Sequence, residues 1–356
     1  MSEHRLDHAR TVLLEEFAKG DVWTREIPGA REALAAIAAP GVRIAVVSNA
    51  DGTVEAQLRA DGICQVGPGA GSTSSRSSAR RSVVSPAMPE TLPFSTENCL
   101  VERDGPVVIM TMNRPDKRNA LSAPMLVGLA DAYDYIDQND DVMAGVLTGA
   151  GGHFCSGMDL VSMGAPQSEY VQRRMAETPD LHWKALLRDY RCSKPIVAAV
   201  EGYAVAGGTE ILQGTDIRVA GESAIFGVWE AKRGLFPLGG SACRLPRQIP
   251  YTVAMDILLT ARPVTAHEAA AIGLIGRVVP DGQARSVAVG IARQIAQNGP
   301  LSIKAILRAW RETEHMTDAD AMTHQDPIGW EVFASEDAKE GPKAFAEKRP
   351  PVFKGK

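Results

Sequence analysis

The sequence predicts an α/β fold in which largely parallel strands are covered by helices. Three observations carry that prediction. Short, unbroken apolar runs, VVIMTM (107–112), AGVLT (144–148) and IVAAV (196–200), read as strands buried on both faces. Segments with helical apolar spacing separate and follow them. Two of the strands, 144–148 and 196–200, run directly into a glycine turn, as strand–helix junctions do.

The elements follow in chain order. Residues 1–66 read helix, helix, strand, helix. Pro28 opens a helix through Ala39, RIAVV (43–47) is a buried strand, and Ser48–Gly52 turns into a helix over 53–60. Residues 67–95, rich in Gly, Ser and Pro and without any period, read as a flexible linker. From 96 to 356 a single α/β domain is expected. Ala123–Asn139 is an amphipathic helix, with Met125, Leu126, Leu129, Ala132, Tyr133 and Ile136 near one face. Asp216–Ala220 is a further strand, and helices are expected at 208–214, 239–248, 251–260, 265–272 and 284–297. The part after about residue 251 is mostly helical.

Composition narrows the function. A net charge of -5 with no long basic stripe argues against a general nucleic-acid binder. Five scattered cysteines without CxxC spacing point to reduced thiols in a cytoplasmic protein, with no zinc site. No apolar run is long enough to insert into a membrane, and no signal-type segment follows the charged first residues.

The two glycine junctions hold the chemistry. In AGVLTGAGGHFCSGMDL (144–160) a helix is expected to start near Met158; in PIVAAVEGYAVAGGTEIL (195–212) a glycine turn again leads into a helix, the one expected at 208–214. A helix N-terminus leaves backbone N–H groups free, and two such groups converging on one point hold an oxyanion. Glu210 follows the second junction among apolar neighbours. A carboxylate there is costly to bury unless paired or used. Asp159 reads as a structural first-turn carboxylate, and His153 as incidental.

Two resemblances rest on these segments. The run IPGAREALAAIAAPGVRIAVVSNADGTVEAQLRADGI (27–63) resembles the middle of haloacid-dehalogenase-like hydrolases, with Ser48 at the family's second motif. The Asp-x-Asp nucleophile, the lysine and the acidic metal-binding pair are missing, so this short incomplete fragment implies ancestry without phosphatase or dehalogenase activity. NRPDKRNAL (113–121), GHFCSGMDL (152–160), AVAGGTEIL (204–212) and FGVWEAKRGLFPLGGS (226–241) resemble the enoyl-CoA hydratase/isomerase, or crotonase, family. The likeness continues through TARPVTAHEAAAIGLIGRVVP (260–280) to SEDAKEGPKAFAEKRPPVF (335–353).

This second resemblance implies a spiral of ββα units with a helical C-terminal region. It implies an oxyanion hole from the N–H groups of Met158 and Gly207, and catalytic carboxyls at Glu210 and Glu230. Coenzyme A would lie near Arg118, Asn119, Ala120, Ser156 and Gly157. Members that hydrate enoyl thioesters typically carry both glutamates, so the resemblance implies an enoyl-CoA hydratase. The alternatives are a Δ3,Δ2-enoyl-CoA isomerase, another acyl-CoA lyase, or a silent acyl-CoA-binding protein. It further implies a homotrimer or homohexamer, no metal and no cofactor beyond the thioester substrate. Met163, Met175, Trp183 and Leu187 are candidates to touch the acyl group, or equally to pack the core. Trp229 stands where many family hydratases have proline, which bears on acyl choice.

Overall fold

The structure, a computed structural model, describes residues 89–161 and 166–356. The dehalogenase-like segment at 1–66 and most of the predicted linker lie outside the described residues.

Among the described residues ten strands form two sheets. The large sheet has the order β1 (Glu90–Thr91), β2 (Cys99–Asp104), β3 (Val107–Met112), β4 (Ala144–Gly149), β5 (Ile196–Val200), β7 (Ile217–Gly221), β10 (Arg277–Val279). The first three pair antiparallel, and β3, β4, β5, β7 and β10 are parallel. The small sheet joins β6 (Tyr203–Val205), β8 (Ile225–Gly227) and β9 (Val264–Thr265). Two isolated parallel bridges, Leu121 with Met158 and Cys155 with Ala204, continue the same pattern of close strand contacts.

The chain therefore winds as a spiral. Each turn places one strand in the large sheet, then a short extended stretch, then a helix: β5, β6, α4 (Gly207–Gln213) is the clearest example. The unbroken apolar runs have their reason here. Val107, Ile109, Ala144, Val146, Val197, Ala199 and Val219 face small residues of α8 (Ala284–Ile295). Their neighbours Val108, Met110 and Met112 face the other way, into a core shared with α1 (Ala123–Gln138). Side chains alternate along a strand, so burial on both faces demands continuous hydrophobicity.

α1 ends over a buried lysine. Lys194, 2% exposed, donates from Nζ to the carbonyls of Ile136 (2.7 Å) and Asn139 at the helix C-terminus, where orphan carbonyls need donors. Two short helices, α2 (Glu169–Glu177) and α3 (Leu181–Ala185), then lead to β5. Beyond α4 come α5 (Ser241–Gln248), α6 (Tyr251–Thr260), α7 (Ala266–Ala271), α8, α9 (Pro300–Thr313), α10 (Asp318–Phe333) and α11 (Glu336–Ala346). None of the residues of α9 is buried, and Ile306, Trp310, Trp330 and Phe333 are exposed on the last helices.

Three expectations change. The last residues of the predicted linker belong to the fold: β1 pairs with β2, and Leu92 is 5% exposed in the core. The helix expected at 239–248 begins at Ser241, because Gly240 takes φ +121, which no helical residue adopts. Residues 158–161 are not helical; Met158 is extended and bridged to Leu121.

Candidate active site

Glu210 lies in the first turn of α4. The turn into this helix is held by Ala206, at φ 50, whose N–H donates to Gly227 O (2.8 Å). Gly208 packs so closely on Cys155 that a side chain there would overlap the Cys155 carbonyl. Glycine is thus required for the helix to start against the 152–158 loop. Glu210 itself is 4% exposed.

Its carboxyl is not stranded. Oε1 accepts the Ser241 N–H (3.2 Å), and the backbone N–H groups of Gly239 and Gly240 also act on it. The N-terminus of α5 therefore points at the buried carboxyl, where its free N–H groups and dipole favour negative charge. Burial pushes the Glu210 pKa up, and these N–H groups, with the Arg244 guanidinium, partly oppose that rise.

Glu230 opens a single 3₁₀ turn, Glu230–Arg233, after β8. Its Oε2 is buried and has no hydrogen-bond partner among the described residues. Burial, and then the charge of Glu210, push its pKa up to about 7. Glu210 and Glu230 line one cavity of about 630 Å³. Its polar groups are few and its walls largely apolar, the usual make-up of a small-molecule site.

The two backbone donors meet at the same place. Leu121 N–H donates to Gly157 O (2.8 Å) and Asp159 N–H donates to Leu121 O (3.0 Å). Successive residues of an extended strand point their N–H groups to opposite sides, so the Met158 N–H faces away from Leu121. Gly207 is the first residue of α4 and its N–H has no acceptor within the helix. Among the described residues no hydrogen bond takes either N–H. A Cβ at Gly207 would lie 3.7 Å from Met158 N, and one at Gly157 would lie 3.2 Å from Gly207 N. Met158, Gly207, Glu210 and Glu230 all border the cavity.

The predicted coenzyme A segment divides. Arg118, Ala120 and Ser156 line the cavity, and Arg118 sits over the Tyr203 ring, 5.4 Å from its centroid. The Asn119 side chain is fully buried and structural: Oδ1 accepts the Arg114 N–H (2.8 Å) and Nδ2 donates to Ala150 O (2.9 Å) and His153 O (2.6 Å). Gly157, at φ +93, lies behind the Met158 donor without bordering the cavity.

Of the acyl-pocket candidates, Trp183 lines the cavity, while Leu187 and Met175 pack in the core and do not. Met163 lies outside the described residues. Trp229 also lines the cavity. It meets Tyr203 edge-on at 6.1 Å, and its indole fills the space beside Gly227. His153 stacks on Tyr203 and accepts the Tyr203 N–H (3.3 Å). Sequence reasoning missed Gly239 and Ser241 as partners of Glu210; the glycine pair in GLFPLGGS was the available signal.

Comparison with known proteins gives the family of the chain. The enoyl-CoA hydratase/isomerase family profile matches residues 102–356. The chain is 54% identical over 264 residues to a Mycobacterium tuberculosis protein named enoyl-CoA hydratase EchA19, covering 74% of this chain and 98% of that one. It is 32% identical over 273 residues to a carnitinyl-CoA dehydratase of Salmonella paratyphi A, covering 73% and 100%. Among solved structures, an enoyl-CoA hydratase from Mycobacterium tuberculosis H37Rv (38% identity, TM-score 0.65) and one from Bacillus anthracis (31%, 0.65) each match 73% of this chain and all of theirs. From its matched length, its fold and these relatives, the chain belongs to the enoyl-CoA hydratase/isomerase family.

Proposed function

We propose that this protein is an enoyl-CoA hydratase that adds water reversibly across the 2,3 double bond of a trans-2-enoyl-CoA. The observation that carries the reading is a pair of carboxyls, the buried Glu210 and the half-buried Glu230, on one cavity with two free N–H groups, those of Met158 and Gly207.

The thioester oxygen sits between the two N–H groups. One carboxylate takes a proton from water as the water oxygen bonds to carbon 3. The π electrons move to carbons 1 and 2, and the thioester oxygen gains enolate character. The other carboxyl delivers a proton to carbon 2, so the product has gained one water and the pair again holds one proton. The two backbone donors stabilise the enolate, an interaction worth about a hundred- to a thousandfold in rate per donor. The raised pKa values suit this work: burial pushes both carboxyls up, Glu230 to about 7, and two close carboxyls exchange protons as a pair.

Coenzyme A enters past Arg118, Ala120 and Ser156 at the cavity edge, with Asn119 and Gly157 shaping the backbone there. The scheme calls for no metal or redox cofactor. The exposed apolar faces of α9 and α10 suit a homotrimer or homohexamer. Among the described residues no helix is long and apolar enough to cross a membrane, and the scattered cysteines suit the cytoplasm.

The test is incubation with crotonyl-CoA and with a longer trans-2-enoyl-CoA, with products identified by mass. A gain of one water, lost in Glu210→Gln and Glu230→Gln, is expected. An unchanged mass with a shifted double bond would establish an isomerase instead. Tight acyl-CoA binding without turnover across an acyl panel would establish a silent binding protein.

A further inference from the structure

We propose that Arg114 is a positioning residue for the backbone donor of Met158, and that its guanidinium also neutralises Asp159 beside that donor. The inference rests on the hydratase reading and deepens it.

Arg114 does not border the cavity. Its side chain is 14% exposed and reaches between two chain segments. Nη1 donates to Ala120 O (2.7 Å) and Nη2 to Asp159 Oδ2 (2.9 Å). These two contacts flank the bridge that sets the direction of the Met158 N–H, because Ala120 precedes Leu121 and Asp159 follows Met158. The same arginine is anchored at its backbone, where its N–H donates to Asn119 Oδ1. One guanidinium thus ties the 119–121 segment to the 157–159 segment by two charge-assisted bonds, the stronger class of hydrogen bond.

The geometry matters because a backbone donor works only when aimed at the oxygen that gains charge. Residues 158–161 are not helical, so no helix fixes the Met158 N–H as α4 fixes that of Gly207; the bridge to Leu121 sets its direction, and Arg114 braces that bridge on both sides.

The charge matters too. Asp159 borders the cavity and is 10% exposed at its side chain. A carboxylate one residue from the donor repels a developing enolate. With Arg114 against it, the pair presents little net charge. Removing Arg114 takes one neutralising charge away from that carboxylate and leaves more of its negative charge acting at the donor.

The test uses the full-length protein in four forms: wild type, Arg114→Met, Arg114→Lys and Arg114→Met/Asp159→Asn. The probe is acetoacetyl-CoA, whose enolate absorbs in the near ultraviolet, so the fraction bound as enolate reports donor alignment and local charge directly. Butyryl-CoA affinity reports the rest of the site. Arg114→Met is expected to lower kcat for crotonyl-CoA hydration about ten- to a hundredfold, a share of the loss of one donor. KM and butyryl-CoA affinity should change by less than about threefold, within the range of uniform binding effects. The bound enolate fraction should fall, Arg114→Lys should hold an intermediate value, and the double variant should recover part of the fraction lost.

An unchanged enolate fraction in Arg114→Met would overturn the proposal. If Arg114→Met does not fold, Arg114→Lys decides: a wild-type fraction in that variant overturns the positioning role, because lysine cannot span both contacts in the fork geometry of arginine. Failure of the wild type both to hydrate and to bind enolate would sink the hydratase reading itself, which separates the two failures.

Discussion

The Glu210 carboxyl lies directly against Gly239, so closely that any side chain at 239 would overlap it. The contact is how the N-terminus of α5 reaches Glu210: two glycines, Gly239 and Gly240, let the backbone approach before Ser241 donates its N–H. Gly239→Ala must displace the carboxyl. We expect hydration to fall by about a hundredfold or more, the usual worth of a placed acid–base group. Circular dichroism should stay close to wild type. A variant with unchanged kcat would show that Glu210 tolerates displacement, against its assigned role.

The charge of Glu210 is one of two causes that raise Glu230, and burial is the larger. Glu210→Gln removes the charge and leaves the burial. The Glu230 pKa should therefore fall below its value of about 7 and remain above the ordinary 4.5. Carbon-13 NMR of labelled glutamate carboxyls across pH 4 to 9 reads this directly. A Glu230 pKa that stays put in Glu210→Gln would mean the two carboxyls do not sense each other.

The same shift links Glu230 to stability. Folding raises its pKa from 4.5 to about 7, so the folded chain holds this proton more tightly than the unfolded chain. Stability from the group is fully present below about 4.5 and is lost as pH rises to about 7, above which the full cost of a buried charge remains. Glu230→Gln escapes that cost. Its melting temperature should exceed the wild type's by more at pH 8 than at pH 5. Equal differences at the two pH values, measured by calorimetry, would contradict a folded-state pKa near 7.

Gly157 separates the two backbone donors. It takes φ +93, and a Cβ there would lie 2.8 Å from the Ala206 Cβ and 3.2 Å from Gly207 N. Gly157→Ala should push Met158 and Gly207 apart and cost about a hundred- to a thousandfold in kcat, as loss of one oxyanion donor does. Gly152→Ala is the comparison: it shares a left-handed backbone, φ +76, with nothing within 4 Å of the added methyl. Its expected loss is much smaller. Similar losses in both would attribute the effect to backbone strain alone.

Trp310, on α9, and Phe333, on α10, are exposed among the described residues. If copies of the chain cover them, Trp310→Glu should shift the protein to a smaller species by multi-angle light scattering. A wild-type protein that already runs as a monomer would remove the homo-oligomer reading.

The strands β3, β4 and β5 were legible because burial on both faces leaves a continuous apolar run, and α1 because its apolar spacing is helical. β6, β8 and β9 have three residues or fewer, too short to carry any period, although they form the second sheet. β2 was missed for a related reason: CLVERD is buried at Cys99 and Val101 and turns polar before the strand ends. Glu210 stood out as a carboxylate among apolar residues, and the resemblance pointed to both Glu210 and Glu230. Arg114 was not, because an arginine at a turn gives no local sign of a partner 45 residues on.

The sequence alone therefore determined the strands with their own two-sided burial, the glycines at the turns, and which carboxyls stand near them. Those properties are local, set by each residue's neighbours within a turn or a strand. Tertiary structure decided the rest: that Met158 presents its N–H from an extended bridge, that α5 points its N-terminus at Glu210, and that Glu230 is half-buried within reach of the Glu210 charge. Each depends on segments far apart in the chain being packed together, and burial and charge coupling exist only after that packing.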